Sequence, residues 1–111
     1  MKKKKEVIEK ISILGTEYEM QKATQDFLSK TYGSSGFIFG LCDYDKKKIY
    51  LDNELTTSEY IKTLRHEIVH AFFFESGLDM QSDFARNEEL VDYLALQMPK
   101  MFKVCNDLKI I

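Results

Sequence analysis

The chain contains two histidines, and both fall within one pentapeptide, His66-Glu67-Ile68-Val69-His70. On a helix a separation of four residues turns through about 400°, so the two imidazoles stand about 40° apart on one face, one turn above the other. Two ring nitrogens so placed can meet a single zinc ion. Glu67 stands about 100° round from His66, too far to be an easy third ligand but able to reach a water on the metal as general base. Chance places the only two histidines at that spacing, with Glu directly after the first, roughly once in 600.

A zinc site needs a third protein ligand, and a catalytic one leaves a fourth position for water. With no third histidine, the candidates are carboxylates or cysteines, and the downstream segment offers Glu88, Glu89 and Asp92. Glu88 and Asp92 are about 40° apart and share a face with Val91 and Ala95, whose small side chain lets two helices approach closely. Glu89 points about 100° away, towards Tyr93 and Gln97. This phase selects Glu88 as ligand and Asp92 as a carboxylate that accepts a hydrogen bond from a ligand imidazole and fixes its tautomer. The plain alternative for Glu88 and Glu89 is an acidic helix start favoured by the macrodipole.

The elements that must carry these groups are legible from local signals. Thr56 followed by Glu59 is a capping-box pattern, and it predicts a helix of about five turns ending at the breaker Gly77, with His66 to His70 well inside. Its Ile61, Leu64, Ile68, Ala71 and Phe72 should face the core. A second helix is expected from Ser82 or Asp83, carrying Leu90, Val91, Leu94, Ala95 and Met98 at helical spacing, with Pro99 kinking or interrupting it. Upstream, residues 6–14 and 17–23, separated by Gly15 and Thr16, read as a hairpin. Residues 24–36 are polar, with a short helix around Asp26 to Ser29 and a loop at Gly33-Ser34-Ser35-Gly36. Residues 37–43 and 47–52 flank a turn at Tyr44-Asp45-Lys46 and read as a second hairpin with a half-exposed outer arm. Strands in one block and helices in the next argue an α+β fold: a small antiparallel sheet of two hairpins packed on the histidine helix and a second, C-terminal helix.

At 111 residues the chain is one domain, residues 1–111. Lys plus Arg number 16 against 18 Asp plus Glu, with only two Arg, so the electrostatic footprint of a nucleic-acid binder is missing. The longest apolar run, Ala71 to Phe74, is far short of the roughly 20 residues of a membrane span. The Lys2 to Lys5 run reads as a solvated tail, because Glu6, Glu9 and Lys10 fall where the apolar stretch of a signal peptide should begin. Cys42 and Cys105 fit no disulfide or zinc-knuckle spacing and read as reduced, structural and cytoplasmic. Oligomeric state is not legible.

His66 to His70, followed by Asn87, Glu88 and Asp92 in an N-E-x-x-x-D arrangement, resemble the gluzincin metallopeptidases, in which HExxH and a downstream helical Glu bind zinc. The small size resembles the minimal ImmA/IrrE-like branch of bacteria and their phages, where the downstream helix reads roughly E-x-x-A-N-x-F-A. Glu88, Val91, Asp92, Leu94 and Ala95 fill those places, with Val for Ala and Asp for Asn as departures. Ile13, Leu14, Gly15 and Tyr18, then residues 43–52 and 63–78, are similar to small phage and Firmicute zincins. The resemblance implies a zincin fold and cleavage of protein substrates, in some members repressors that silence mobile elements.

The expected chemistry is metal-assisted peptide hydrolysis, with zinc on His66, His70 and Glu88 and with Glu67 taking a proton from the activated water and returning it to the leaving amine. A protein or peptide substrate could pair with residues 47–52 as an edge strand. The oxyanion donor stays open among Tyr50, Tyr60, Tyr93 and Arg86, and Phe72, Phe73 and Phe74 line either a specificity pocket or the core. The alternative function is a zinc-binding, non-catalytic interaction protein that keeps this frame and acts on a host or phage regulator.

Overall fold

Leu14 and Gly15, at φ 50° and 89°, form a two-residue left-handed turn whose twist suits a hairpin, and it joins β1 (Val7–Ile13) to β2 (Thr16–Ala23). This computed structural model describes residues 7–33 and 35–111; the Lys2 to Lys5 run, Glu6 and Ser34 lie outside the described residues. After β2, Thr24 caps α1 (Gln25–Tyr32) by accepting from the Phe27 N–H, and Gly33 closes it at φ 76°. The second hairpin is β3 (Gly40–Asp43) with β4 (Lys48–Asp52).

The sheet order is β1-β2-β4-β3, with β2 and β4 parallel. The α+β class stands, but the sheet is mixed rather than antiparallel, and β4 is an inner strand rather than the edge expected for residues 47–52. The reason is burial on both faces. Ile49 and Leu51 pack with Tyr18, Met20 and Ala71 on one side, whereas Tyr50 packs with Ala23, Leu28 and Ile38 under α1 on the other. A strand with no solvent face belongs inside a sheet, so the free edges fall to β1 and β3.

The histidine-bearing helix α2 (Thr57–Glu75) begins at the capping box, with the Thr56 hydroxyl accepting from the Glu59 N–H and the Glu59 carboxylate accepting from the Thr56 N–H. Its buried stripe is Thr63, Glu67 and Ala71, flanked by half-buried Leu64 and Ile68, while Ile61 and Phe72 are exposed. The stripe is therefore narrower than the apolar residues suggest, and rotated so that Glu67 faces the sheet. At the far end Glu75 accepts hydrogen bonds from the Tyr18 hydroxyl at 2.6 Å, the Lys47 ammonium at 2.8 Å and the Thr16 hydroxyl at 3.1 Å. That cluster ties the last turn of α2 to both hairpins.

Two short turns follow, α3 (Leu78–Gln81) and a 3₁₀ turn at Asp83–Arg86, before α4 (Glu88–Asp107). The second long helix thus starts six residues or so later than Ser82 or Asp83 suggest, because the Asn87 side chain caps it by accepting from the Leu90 N–H. It continues through Pro99, whose missing N–H leaves the Ala95 carbonyl without its usual partner one turn back. α4 packs on α2 through Val91 and Ala95. Among the described residues no helix is long and apolar enough to cross a membrane, and Cys42 and Cys105 are free thiols.

Candidate metal centre

α2 and α4 run antiparallel where they meet, so successive turns of one face successive turns of the other. His70 meets Glu88 and His66 meets Asp92. The Nε2 atoms of His66 and His70 are 3.1 Å apart, and Glu88 Oε1 lies 2.9 Å from the first and 3.2 Å from the second. A tetrahedral zinc with bonds of about 2.0–2.1 Å holds its ligand atoms about 3.3 Å apart, so this triangle fits such an ion to within a few tenths of an ångström. Two imidazoles and one carboxylate are also a donor set that divalent transition metals, zinc among them, accept.

His66 Nδ1 lies 2.7 Å from Asp92 Oδ1. A carboxylate can only accept there, so Nδ1 carries a proton and Nε2 is the ring atom turned towards Glu88 and His70. Burial lowers the His70 pKa, with the Glu88 carboxylate opposing, and this favours its neutral form. Three electron-rich atoms within 3.2 Å of one another repel unless a cation or a proton sits among them.

Glu67 is 7% exposed, and its carboxylate has no hydrogen-bonding partner among the described residues. Burial raises its pKa to about 7; His66 opposes the rise and Glu88 adds to it. β3 crosses directly over this residue. A Cβ on Gly40 would come within 2.7 Å of the Thr63 methyl, 2.9 Å of the Tyr50 carbonyl and 3.4 Å of Glu67 Cγ, so only glycine lets the edge strand lie this close to α2.

Two open clefts meet at Gly40, His66 and Glu67. One, of about 460 Å³, is bounded by Phe39, Glu59, Lys62, Thr63 and Asp92. The other, of about 360 Å³, reaches past Leu41, Cys42 and Tyr44 to His70 and Glu88. Together they form a trough along the free edge of β3.

The structure therefore brings His66, Glu67, His70, Glu88 and Asp92 to one place, and leaves Glu89 exposed and outside the triangle. None of the four oxyanion candidates lines either cleft. Tyr50 is buried under α1, Tyr60 packs on the core, Tyr93 faces solvent and Arg86 is held by Asp83 and the Asp79 carbonyl. Phe72 and Phe73 face a groove between α2 and α4, and Phe74 stacks on Tyr44 at 4.3 Å. Tyr44, which the spacing of the sequence did not single out, lines the second cleft. Its hydroxyl pKa is raised by burial and then by Cys42, Asp79, Glu67 and Glu88, so it stays protonated beside the donor triangle. An aromatic side chain in the middle of an otherwise charged turn, Asp43-Tyr44-Asp45-Lys46, was the available signal. No protein-family model, curated protein or solved structure matches this chain.

Proposed function

We propose that the chain is a zinc-dependent metallopeptidase in which His66, His70 and Glu88 hold the ion and Glu67 is the general base. The observation that carries this reading is the triangle of donor atoms with the Glu67 side chain beside it, largely buried, lining the cleft and without a hydrogen-bonding partner among the described residues. Zinc bound there supplies a Lewis acid that polarises a carbonyl and brings the pKa of its water towards about 7.

The chain's own residues supply the rest. Asp92 holds the His66 ring by its Nδ1 proton and keeps Nε2 turned inward. Glu67, with its affinity for a proton matched to neutral pH, accepts one from the attacking water and gives it to the leaving amine. The Tyr44 hydroxyl is a donor for the carbonyl oxygen as negative charge develops on it. An extended peptide can lie in the trough along β3, pairing with the free strand edge so that its carbonyls pass His66 and Glu67 in turn.

The test compares the protein termini generated in a bacterial lysate by the wild type and by Glu67→Gln, both with zinc content measured. New termini made by the wild type alone, at equal zinc, support hydrolysis. Identical termini at about one zinc per chain refute it and favour the contact-only alternative.

A further inference from the structure

Beyond Ala95, α4 leaves the body of the protein. From Met98 onward every residue is exposed except the half-buried Cys105. Yet this half of the helix is not polar all round. Leu94, Met98, Met101, Cys105 and Leu108 recur at spacings of four, three, four and three, the seam of a heptad repeat. Phe102 and Val104 flank that seam, widening the apolar arc to about 160° of the helix surface. Lys100, Lys103 and Asp107 lie on the opposite side, the last two paired at 2.9 Å. Just before the arc, the crotch between α2 and α4 forms a groove of about 440 Å³ walled by Leu14, Phe72, Phe73, Leu94 and Met98.

We infer that this face is the interface of a homodimer, in which the outer half of α4 from one copy lies antiparallel against that of a second copy and reaches into its α2–α4 groove. Three observations select a second copy as the occupant. A 3.5-residue period matches a helix of the same kind, and the flanking positions Phe102 and Val104 carry no charge that would repel an identical strand. The groove opens at the N-terminal end of the arc, where Leu94 and Met98 belong to both, so an antiparallel two-fold arrangement lets the outer part of each arc cover the other's groove, and that contact closes on itself. The area is also sufficient. Met98, Met101, Phe102, Val104 and Leu108 are 52 to 65% exposed and Phe72 is 41% exposed. At about 100 Å² each these six give roughly 600 Å² of apolar surface per copy, against about 800 Å² of total surface per partner in a standard interface, little more than half of it apolar. The contact sits away from Glu88 and Asp92, at the other end of α4, and does not depend on the metal reading.

Sedimentation equilibrium of the full chain across micromolar concentrations tests this. The wild type is expected at twice the 13.0 kDa chain mass, dissociating on dilution. The double variant Met101→Glu/Phe102→Glu should be monomeric with an unchanged helical circular dichroism signal. Leu96→Glu, an exposed apolar position on the opposite side of the same helix, should stay dimeric. A wild type that is monomeric throughout overturns the inference, as does a dimer that survives the double variant or is lost equally in Leu96→Glu. Monomers that instead bind neutral lipid vesicles through this arc overturn it too.

Discussion

Two glutamates on α2, eight residues apart, are both largely removed from water and treated in opposite ways. Glu75 is met by the Lys47 ammonium and the Tyr18 and Thr16 hydroxyls, and these hold its pKa below the usual carboxylate value, the Lys47 and Tyr18 hydrogen bonds most strongly. Glu67 is met by none among the described residues, and burial carries its pKa up to about 7. The same side chain on the same helix is a charged fastener at one end and, in the middle, a group that keeps its proton up to about neutral pH. What differs is the supply of donors, because the hairpin turns converge on the last turn of α2 while β3 presents Gly40, with no side chain, to Glu67.

Replacing each glutamate tests that contrast, and Glu67 should give the largest effect. Glu67→Gln is expected to lower the hydrolysis rate by about 10² to 10⁴-fold while zinc content and melting temperature hold or rise, since a buried charge is removed. Glu75→Ala should do the reverse. It leaves the buried Tyr18 hydroxyl without its acceptor and frees the part-exposed Lys47 ammonium, and should cost about 1–3 kcal/mol in urea unfolding, with zinc affinity little changed in the folded fraction. If Glu75→Ala strips zinc without destabilising the fold, the division of roles is wrong.

The donor triangle should respond less steeply through its outer carboxylate. Asp92→Ala, which frees the His66 ring, should weaken zinc binding by about 10 to 100-fold in a chelator competition. The pH dependence of stability separates the two glutamates by sign. With a lowered pKa, Glu75 stabilises the fold fully above about pH 4.5, and that contribution is lost as pH falls through its folded value. With a raised pKa, Glu67 acts oppositely in chelator-treated protein. Its contribution is present below about pH 4.5 and is lost as pH rises towards about 7. Urea titrations of Glu75→Gln should flatten the acid limb and those of Glu67→Gln the neutral one. The smallest effect is expected from Glu89→Ala, within about 0.5 kcal/mol in stability and without change in zinc affinity, because that side chain is exposed and turned from the triangle.

What was legible in the sequence is what local chemistry decides. The Thr56–Glu59 box, the hairpin break at Gly15, which the structure places one residue earlier at Leu14–Gly15, and the phase that separates Glu88 from Glu89 all act within one or two turns of chain. Pairing partners do not. Residues 47–52 alternate like a half-exposed edge, and nothing local says that β2 lies alongside or that α1 covers Tyr50, so β4 read as an edge when it is inner. Ser82 and Asp83 look like helix caps, but the chain makes only a 3₁₀ turn there before Asn87 starts α4. Tyr44 came into the site through tertiary stacking on Phe74, which no spacing rule encodes.

The parallel pairing of β2 with β4 also sets an order of events during folding. Glu19 pairs with Lys48 across a loop that contains α1 and β3, whereas the β1–β2 hairpin and the capped start of α2 close over a few residues. Short-range closures come quickly, and long-range strand pairing waits on the entropy of bringing distant segments together. β3 and β4 form a local hairpin of their own, so the strand that roofs Glu67 docks together with β4 in that slow step. The helix pair that gathers the histidines and Glu88 closes over a comparable span, 18 residues from His70 to Glu88 and 26 from His66 to Asp92, so metal uptake and the appearance of a working trough should share one phase of refolding.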